Sequence, residues 1–117
     1  MVAIKIIDLK DFEDSSMQDL RKECAIMSTS KHANIVHEHV SFISNNHLWL
    51  VMEIIDAGSC IDVMQYSEEK THESGIKDET VIATILNETI KGLQYLHKSN
   101  KIHRDVKAGN ILLKMDG

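Results

Sequence analysis

The chain has 117 residues, of which 43% are hydrophobic and 26% charged, and its formal net charge at pH 7 is −5. This composition is typical of a globular protein and argues against a disordered chain. An acidic chain without a block of Lys or Arg disfavours nucleic acid as the main partner, and no apolar run approaches ~18 residues, so we expect no membrane insertion. Cys24 and Cys60 do not make a disulfide framework, which predicts reduced thiols and a cytoplasmic location.

The first half of the chain predicts a strand, a helix and a hairpin. Residues 2–7 are short and β-branched and predict a strand, which a polar loop over residues 8–16 follows. An apolar stripe at helical spacing then predicts an amphipathic helix. Its stripe is Met17, Leu20, Cys24 and Met27, and its candidate N-caps are Asp14, Ser15 and Ser16. Residues 35–42 and 48–55 flank a turn at residues 44–46 and predict an antiparallel hairpin.

The second half predicts mainly helices. Residues 61–66 predict a short helix, and residues 67–77 a charged surface segment. Asp78 is suited to cap a long helix over residues 79–99. The apolar stripe of this helix is Ile82, Ile85, Leu86, Ile90, Leu93 and Leu96. Residues 111–114 predict a final strand, so a small sheet-and-helix unit precedes a mostly helical one, an α+β arrangement.

Two short motifs match signatures of protein kinases. Val2-Ala3-Ile4-Lys5 matches V-A-I-K, and His103-Arg104-Asp105 with Asn110 matches H-R-D-x-x-x-x-N. Because the motifs occur in the right order, with the hairpin and the long helix between them, the chain resembles a eukaryotic protein kinase over its whole length. Lys107 gives the loop its serine/threonine form. The segments LWLVME, GSCID and IHRDVKAGNILL are similar to the sterile-twenty-like group, in its germinal-centre, osmotic- and oxidative-stress-responsive subgroup.

The resemblance implies part of a bilobal protein-kinase fold. Residues 1–52 correspond to the end of the N-lobe sheet with its helix, residues 53–58 to the hinge, and residues 59–117 to the start of the helical C-lobe. The implied reaction is transfer of the γ-phosphoryl group of ATP to protein Ser and Thr hydroxyls, with Mg²⁺.

Phosphoryl transfer depends mainly on positioning and charge neutralisation. The resemblance assigns Lys5 to the α- and β-phosphates of ATP, with an orienting carboxylate on the first helix. We select Glu23, because it follows Leu20 by three residues and precedes Met27 by four, beside the inward stripe.

The loop motif supplies the groups around the transferred phosphate. By resemblance, Asp105 accepts the proton of the substrate hydroxyl or orients that hydroxyl, and Lys107 neutralises the γ-phosphate. Asn110 offers its amide oxygen to Mg²⁺, which prefers hard oxygen ligands. His103 and Arg104 brace the loop.

The resemblance also assigns the adenosine contacts. Met52 falls at the gatekeeper position, and the Glu53 carbonyl and the Ile55 N–H would hydrogen-bond adenine. The remaining assignments are Ala3 to the adenine pocket and Ser59 and Asp62 to the ribose.

Each of these residues also has an ordinary structural interpretation. Taken singly, Lys5 is a solubilising strand residue, Glu23 part of a solvated helix face, and the loop charges a surface salt bridge worth ~0–1 kcal/mol. These interpretations lose weight because all of them would have to arise by chance at kinase spacing and order. His37 and His39 would share a strand face, but a metal site there lacks a third ligand at suitable spacing.

Two functional hypotheses remain. The first is a serine/threonine kinase that acts on protein substrates in stress signalling, under the control of an upstream kinase. The alternative is a truncated, non-catalytic kinase-like binding or scaffold protein. The presence of Lys5, Glu23, Asp105 and Asn110 together favours the first.

The sequence itself predicts that residues 1–117 alone are inactive. In the family a glycine-rich phosphate loop precedes the position of Val2, and an Asp-Phe-Gly segment that binds magnesium follows the position of Gly117. We therefore expect a fragment that is weakly stable, aggregation-prone and inactive, because Asn110 alone is a poor magnesium site. The test is Mg²⁺-dependent phosphorylation by the purified 117-residue chain. Activity that Asp105→Ala abolishes would contradict this expectation.

Overall fold

The computed structural model describes residues 1–11, 14–72 and 75–115, without the side chains at positions 11, 14–16, 19 and 23. The chain divides into two compact units, Met1–Ile54 and Ile55–Gly117. The boundary falls inside the segment 53–58 that the sequence predicts as a hinge, and the assignment of the lobes remains a prediction.

The first unit is built on a three-stranded antiparallel sheet. Its strands are β1 (Val2–Asp8), β2 (Glu38–Ser44) and β3 (His47–Glu53), in the order β1-β3-β2. The helix α1 (Asp14–Thr29) connects β1 to the β2–β3 hairpin and packs against β2.

One face of this sheet carries the predicted nucleotide-binding residues. Ala3 lies opposite Met52, and Lys5 lies opposite Leu50, so these four side chains share a face. Leu50 is 1% exposed, and Leu20 of α1 is also buried. Burial of these two leucines provides the small apolar core that stabilises the unit.

The β2–β3 turn follows from its sequence, but the strands are shorter than predicted. Asn45 and Asn46 both have positive φ, 49° and 62°, as a two-residue hairpin turn requires and as Asn tolerates. The predicted strands over 35–42 and 48–55 lose their outer residues. The reason is local: His37 exchanges hydrogen bonds with Glu53, and a bulge between Glu38 and Val40 shifts the register.

Helix α1 begins earlier than predicted. Because it starts at Asp14, residues 14–16 are helical, the predicted loop ends sooner, and Ser15 and Ser16 lie inside the helix and not at its cap. The residue before the helix, Glu13, lies outside the described residues.

The second unit contains two helices with well-formed ends. The helix α2 (Cys60–Thr71) is twice the predicted length, because the polar and charged residues 67–71 continue it as a solvated helix. The helix α3 (Glu79–Lys98) confirms the long-helix prediction. Asp78 caps it by accepting hydrogen bonds from Thr80 N at 2.8 Å and Val81 N at 3.4 Å. None of the described helices has the length and apolar character needed to cross a membrane.

The predicted strand over residues 111–114 is wrong. Leu112 forms only an isolated antiparallel bridge with Ser59. Residues 111–115 are nevertheless hydrogen-bonded to residues 56–60, so this apolar segment pairs with the short segment before α2 and not with a sheet.

Asp78→Ala should destabilise the second unit by about 1 kcal/mol, because it removes the side-chain oxygen that satisfies two N–H groups at the start of α3. Asp78→Asn keeps an acceptor oxygen and should lose much less. The measurement is urea unfolding followed by far-ultraviolet circular dichroism. Equal losses for the two variants would show that the capping oxygen is not what stabilises this helix.

Candidate active site

The loop from His103 to Asn110 has a tightly defined backbone. Arg104 has a φ of 67°, a left-handed conformation that is uncommon for residues other than glycine. The Asp105 N–H donates to Nδ1 of His103 at 3.3 Å, and residues 108–110 form a 3-10 turn closed by the Asn110 N–H on the Lys107 carbonyl. These local bonds restrain the backbone on both sides of Asp105.

Asp105, Lys107 and Asn110 form one cluster. The Asn110 Nδ2 group donates to the Asp105 carbonyl at 2.8 Å and to its Oδ2 at 2.9 Å. Lys107 Nζ lies 2.9 Å from the same Oδ2, and the Lys107 and Asp105 side chains are 59% and 63% exposed. The structure therefore brings together the three residues that the loop motif predicts, on a surface open to solvent.

This cluster stabilises the ionised form of Asp105. The hydrogen bond from Lys107 and then that from Asn110 lower the pKa of the Asp105 carboxyl below its usual value. Because the pKa is lower in the folded chain than in the unfolded chain, ionised Asp105 favours folding above the usual Asp pKa. That contribution is lost as the pH falls through the lowered pKa.

The contacts of the Asn110 side chain bear on its predicted role as a magnesium ligand. Both contacts that the structure shows for it use the Nδ2 group, which contains the donors of the amide. The amide plane is therefore fixed by its nitrogen, and Oδ1 remains as a neutral oxygen ligand suited to Mg²⁺. This orientation fits the magnesium assignment, although one oxygen does not make a complete site.

In the first unit, the predicted nucleotide contacts lie on β1 and β3. Ala3 and Lys5 are two residues apart on β1, and Ala3 faces Met52 directly across to β3. Glu53 ends β3 and has a role that the sequence does not reveal. Its Oε1 accepts a hydrogen bond from His37 N at 2.8 Å, and its own N–H donates to the His37 carbonyl.

Two predicted residues cannot be assigned a contact. Glu23 lies in α1, and its side chain is outside the described residues. Ile55 follows β3 at the start of the second unit. The pairing of Glu23 with Lys5 and the adenine contact of Ile55 therefore stay predictions.

Ser59 and Asp62 form a capping box at the start of α2. Ser59 Oγ accepts from Asp62 N at 3.2 Å, while Asp62 Oδ2 accepts from the N–H and the hydroxyl of Ser59, both at 2.7 Å. These bonds lower the pKa of the Asp62 carboxyl. Helix capping explains both residue types, and their assignment to ribose remains a prediction.

The histidine pair that suggested a metal site makes an aromatic contact. The rings of His37 and His39 meet edge to face with their centroids 5.3 Å apart. Among the side chains that the structure describes, no three of His, Cys, Asp or Glu are placed to hold a metal ion.

Lys107→Ala should raise the pKa of Asp105 toward its ordinary value, because the largest cause of the lowered value is removed. Asn110→Ala should raise it less. The measurement is a nuclear magnetic resonance titration of the Asp105 carboxyl carbon. Lys91→Ala is the matched control, since Lys91 pairs with Glu88 on α3. An unchanged Asp105 pKa in Lys107→Ala would contradict the ion pair.

Comparison with known proteins agrees with this geometry. The chain matches the protein kinase domain family over residues 1–117. It is 47% identical to the serine/threonine-protein kinase fray2 and 40% identical to fray1, both of Dictyostelium discoideum, each over 99% of the chain. It is also 42% identical, over 99% of its length, to germinal center kinase 3 of Caenorhabditis elegans.

The chain spans only 11%, 19% and 20% of the lengths of these three relatives, respectively. The predicted resemblance to the germinal-centre kinases is confirmed by the relatives that it matches. The family match, the two motifs and the arrangement of the loop together show that the chain belongs to the serine/threonine protein kinase family.

Proposed function

We propose that the protein carrying these residues transfers the γ-phosphoryl group of ATP to Ser and Thr hydroxyls of protein substrates. The observation that carries this proposal is the cluster of Asp105, Lys107 and Asn110. It gathers a carboxylate, an ammonium group and a side-chain amide, since Lys107 Nζ and Asn110 Nδ2 both contact the Asp105 carboxylate. Those are the groups that act on a hydroxyl, a phosphate and a magnesium ion.

Asp105 acts first as a hydrogen-bond acceptor for the substrate hydroxyl. Its lowered pKa keeps it ionised at neutral pH but makes it a weak base. In a loose transition state the hydroxyl proton is transferred late, so orientation of the oxygen matters more than early deprotonation.

Lys107 links the charge of the phosphate to the basicity of Asp105. Its ammonium group sits on a flexible and exposed side chain. Movement of Nζ from Asp105 to the γ-phosphate would remove the main cause of the lowered Asp105 pKa. Asp105 would then become a stronger base as the phosphate is engaged.

The remaining assignments complete the ATP site of this proposal. Lys5, oriented by Glu23, holds the α- and β-phosphates, and Asn110 Oδ1 ligates Mg²⁺, which supplies charge neutralisation when bound. The adenosine contacts are Ala3, Met52, the Glu53 carbonyl, the Ile55 N–H, Ser59 and Asp62. The position of Ala3, Lys5 and Met52 as neighbours on one sheet face supports this assignment.

A role in signalling rests on the resemblance to the germinal-centre group. One of the relatives is named as a germinal center kinase, a group that the sequence also resembles. We infer that the protein acts in the cytoplasm, is controlled by an upstream kinase and contributes to stress signalling.

Asp105→Asn should lower phosphorylation of a Ser/Thr peptide library by the full-length protein by about 10²- to 10⁴-fold, because it removes the carboxylate that contacts the hydroxyl. The measurement is incorporation of labelled γ-phosphate with Mg²⁺ present. Glu69→Gln is the control, since it makes the same carboxylate-to-amide change at an exposed position of α2. Equal rates for Asp105→Asn and the unsubstituted protein would contradict the proposal.

A chimeric kinase tests whether residues 1–117 support catalysis when the rest of a kinase surrounds them. In this chimera, residues 1–117 replace the matching segment of the Dictyostelium kinase fray2. A chimera that folds and phosphorylates peptides supports a catalytic function for these residues. A chimera that melts like the parent kinase but transfers no phosphate favours the non-catalytic scaffold.

A further inference from the structure

A short antiparallel pairing joins residues 56–60 to residues 111–115 within the second unit. Cys60 N donates to the Ile111 carbonyl at 2.9 Å, and Leu113 N donates to the Gly58 carbonyl at 2.8 Å. Ser59 forms a bridge with Leu112. Beyond this bridge the pairing is offset by one residue, because Leu113 N donates to the Gly58 carbonyl whereas the Leu113 carbonyl accepts from Ala57 N.

Asp56 extends the pairing with its side chain. The Asp56 Oδ1 atom accepts a hydrogen bond from Met115 N at 2.9 Å. The other bonds of this pairing, among them Ala57 N to the Leu113 carbonyl at 3.0 Å, use only backbone atoms. Backbone groups are the same at every residue, so they favour no single register. A carboxylate at one position does favour one.

Register matters here because Asn110 directly precedes the paired segment. Ile111 is the first paired residue, and Asn110 holds Asp105 through its Nδ2 group. A slip of one residue moves an extended chain by about 3.3 Å and reverses its side chains. A displacement near 1 Å at reacting groups can already lower a rate by about 10²-fold.

We propose that Asp56 is a positioning residue of the phosphotransfer reaction. Its carboxylate sets the register of residues 111–115 and, through that segment, the positions of Asn110 and Asp105. This role rests on the proposed kinase function. Because Asp56 is exposed, its hydrogen bond competes with water, so we expect it to favour the observed register without being needed for the folding of the unit. Its effect is on the place of the loop residues.

The first measurement does not require activity. In protein labelled with ¹⁵N at Met and Asn, Asp56→Ala should shift the Met115 amide signal and the Asn110 side-chain amide signals. Asp56→Asn keeps an acceptor oxygen and should leave them near their original positions. Asp8→Ala is the matched control, because Asp8 Oδ1 accepts a backbone bond from Lys10 at 3.0 Å in the first unit.

The second measurement is the Mg²⁺ dependence of phosphate transfer by the full-length protein. Asp56→Ala should raise the Mg²⁺ concentration for half-maximal rate by about threefold or more and lower kcat by about tenfold, and Asp56→Asn should restore both. A loss of folded protein would lower the apparent kcat but would not change the Mg²⁺ dependence.

The outcomes distinguish this proposal from the proposed function. If Asp56→Ala shifts neither set of amide signals, or if its Mg²⁺ dependence matches that of Asp8→Ala in an active protein, the positioning role is overturned. If the amide signals shift but the unsubstituted full-length protein transfers no phosphate, the kinase function is overturned, and Asp56 keeps only its role in setting the register.

Discussion

The two hydrogen bonds that the Asn110 amide donates to Asp105 are the constraint on which the loop from His103 to Asn110 depends. They fix the carboxylate relative to the backbone, and they orient the amide so that its oxygen is the remaining ligand atom. Lys107 then binds the same carboxylate oxygen. The Asp105 carboxylate thereby contacts both the amide and the ammonium group on a surface open to solvent.

Sequence patterns predicted the features that depend on neighbouring residues. The Asp78 side chain caps N–H groups no more than three residues away. Asn45 and Asn46 themselves form the turn. The wrong strand predictions involve pairing between distant residues. The strand expected at 111–114 failed because its partner is a segment some 50 residues earlier, and periodicity carries no information about partners.

The same distinction applies to the candidate site. The motif identified Asp105, Lys107 and Asn110 because they lie within six residues, but their mutual hydrogen bonds could not be inferred from their order. The sequence assigned a role only to the backbone carbonyl of Glu53. In the structure, its side-chain carboxylate also accepts a hydrogen bond from His37 N. Such contacts depend on where two strands end, which local propensity does not determine.

Trp49 is the single tryptophan of the chain, and it stacks on Phe42 in the first unit, with ring centroids 6.0 Å apart. Its intrinsic fluorescence therefore reports on Met1–Ile54 alone, whereas α3 contributes ellipticity from the other unit. The two spectroscopic signals need not change at the same denaturant concentration. Coincident transitions would mean that the two units unfold cooperatively, and separate transitions would mean that one free energy of unfolding cannot describe this protein.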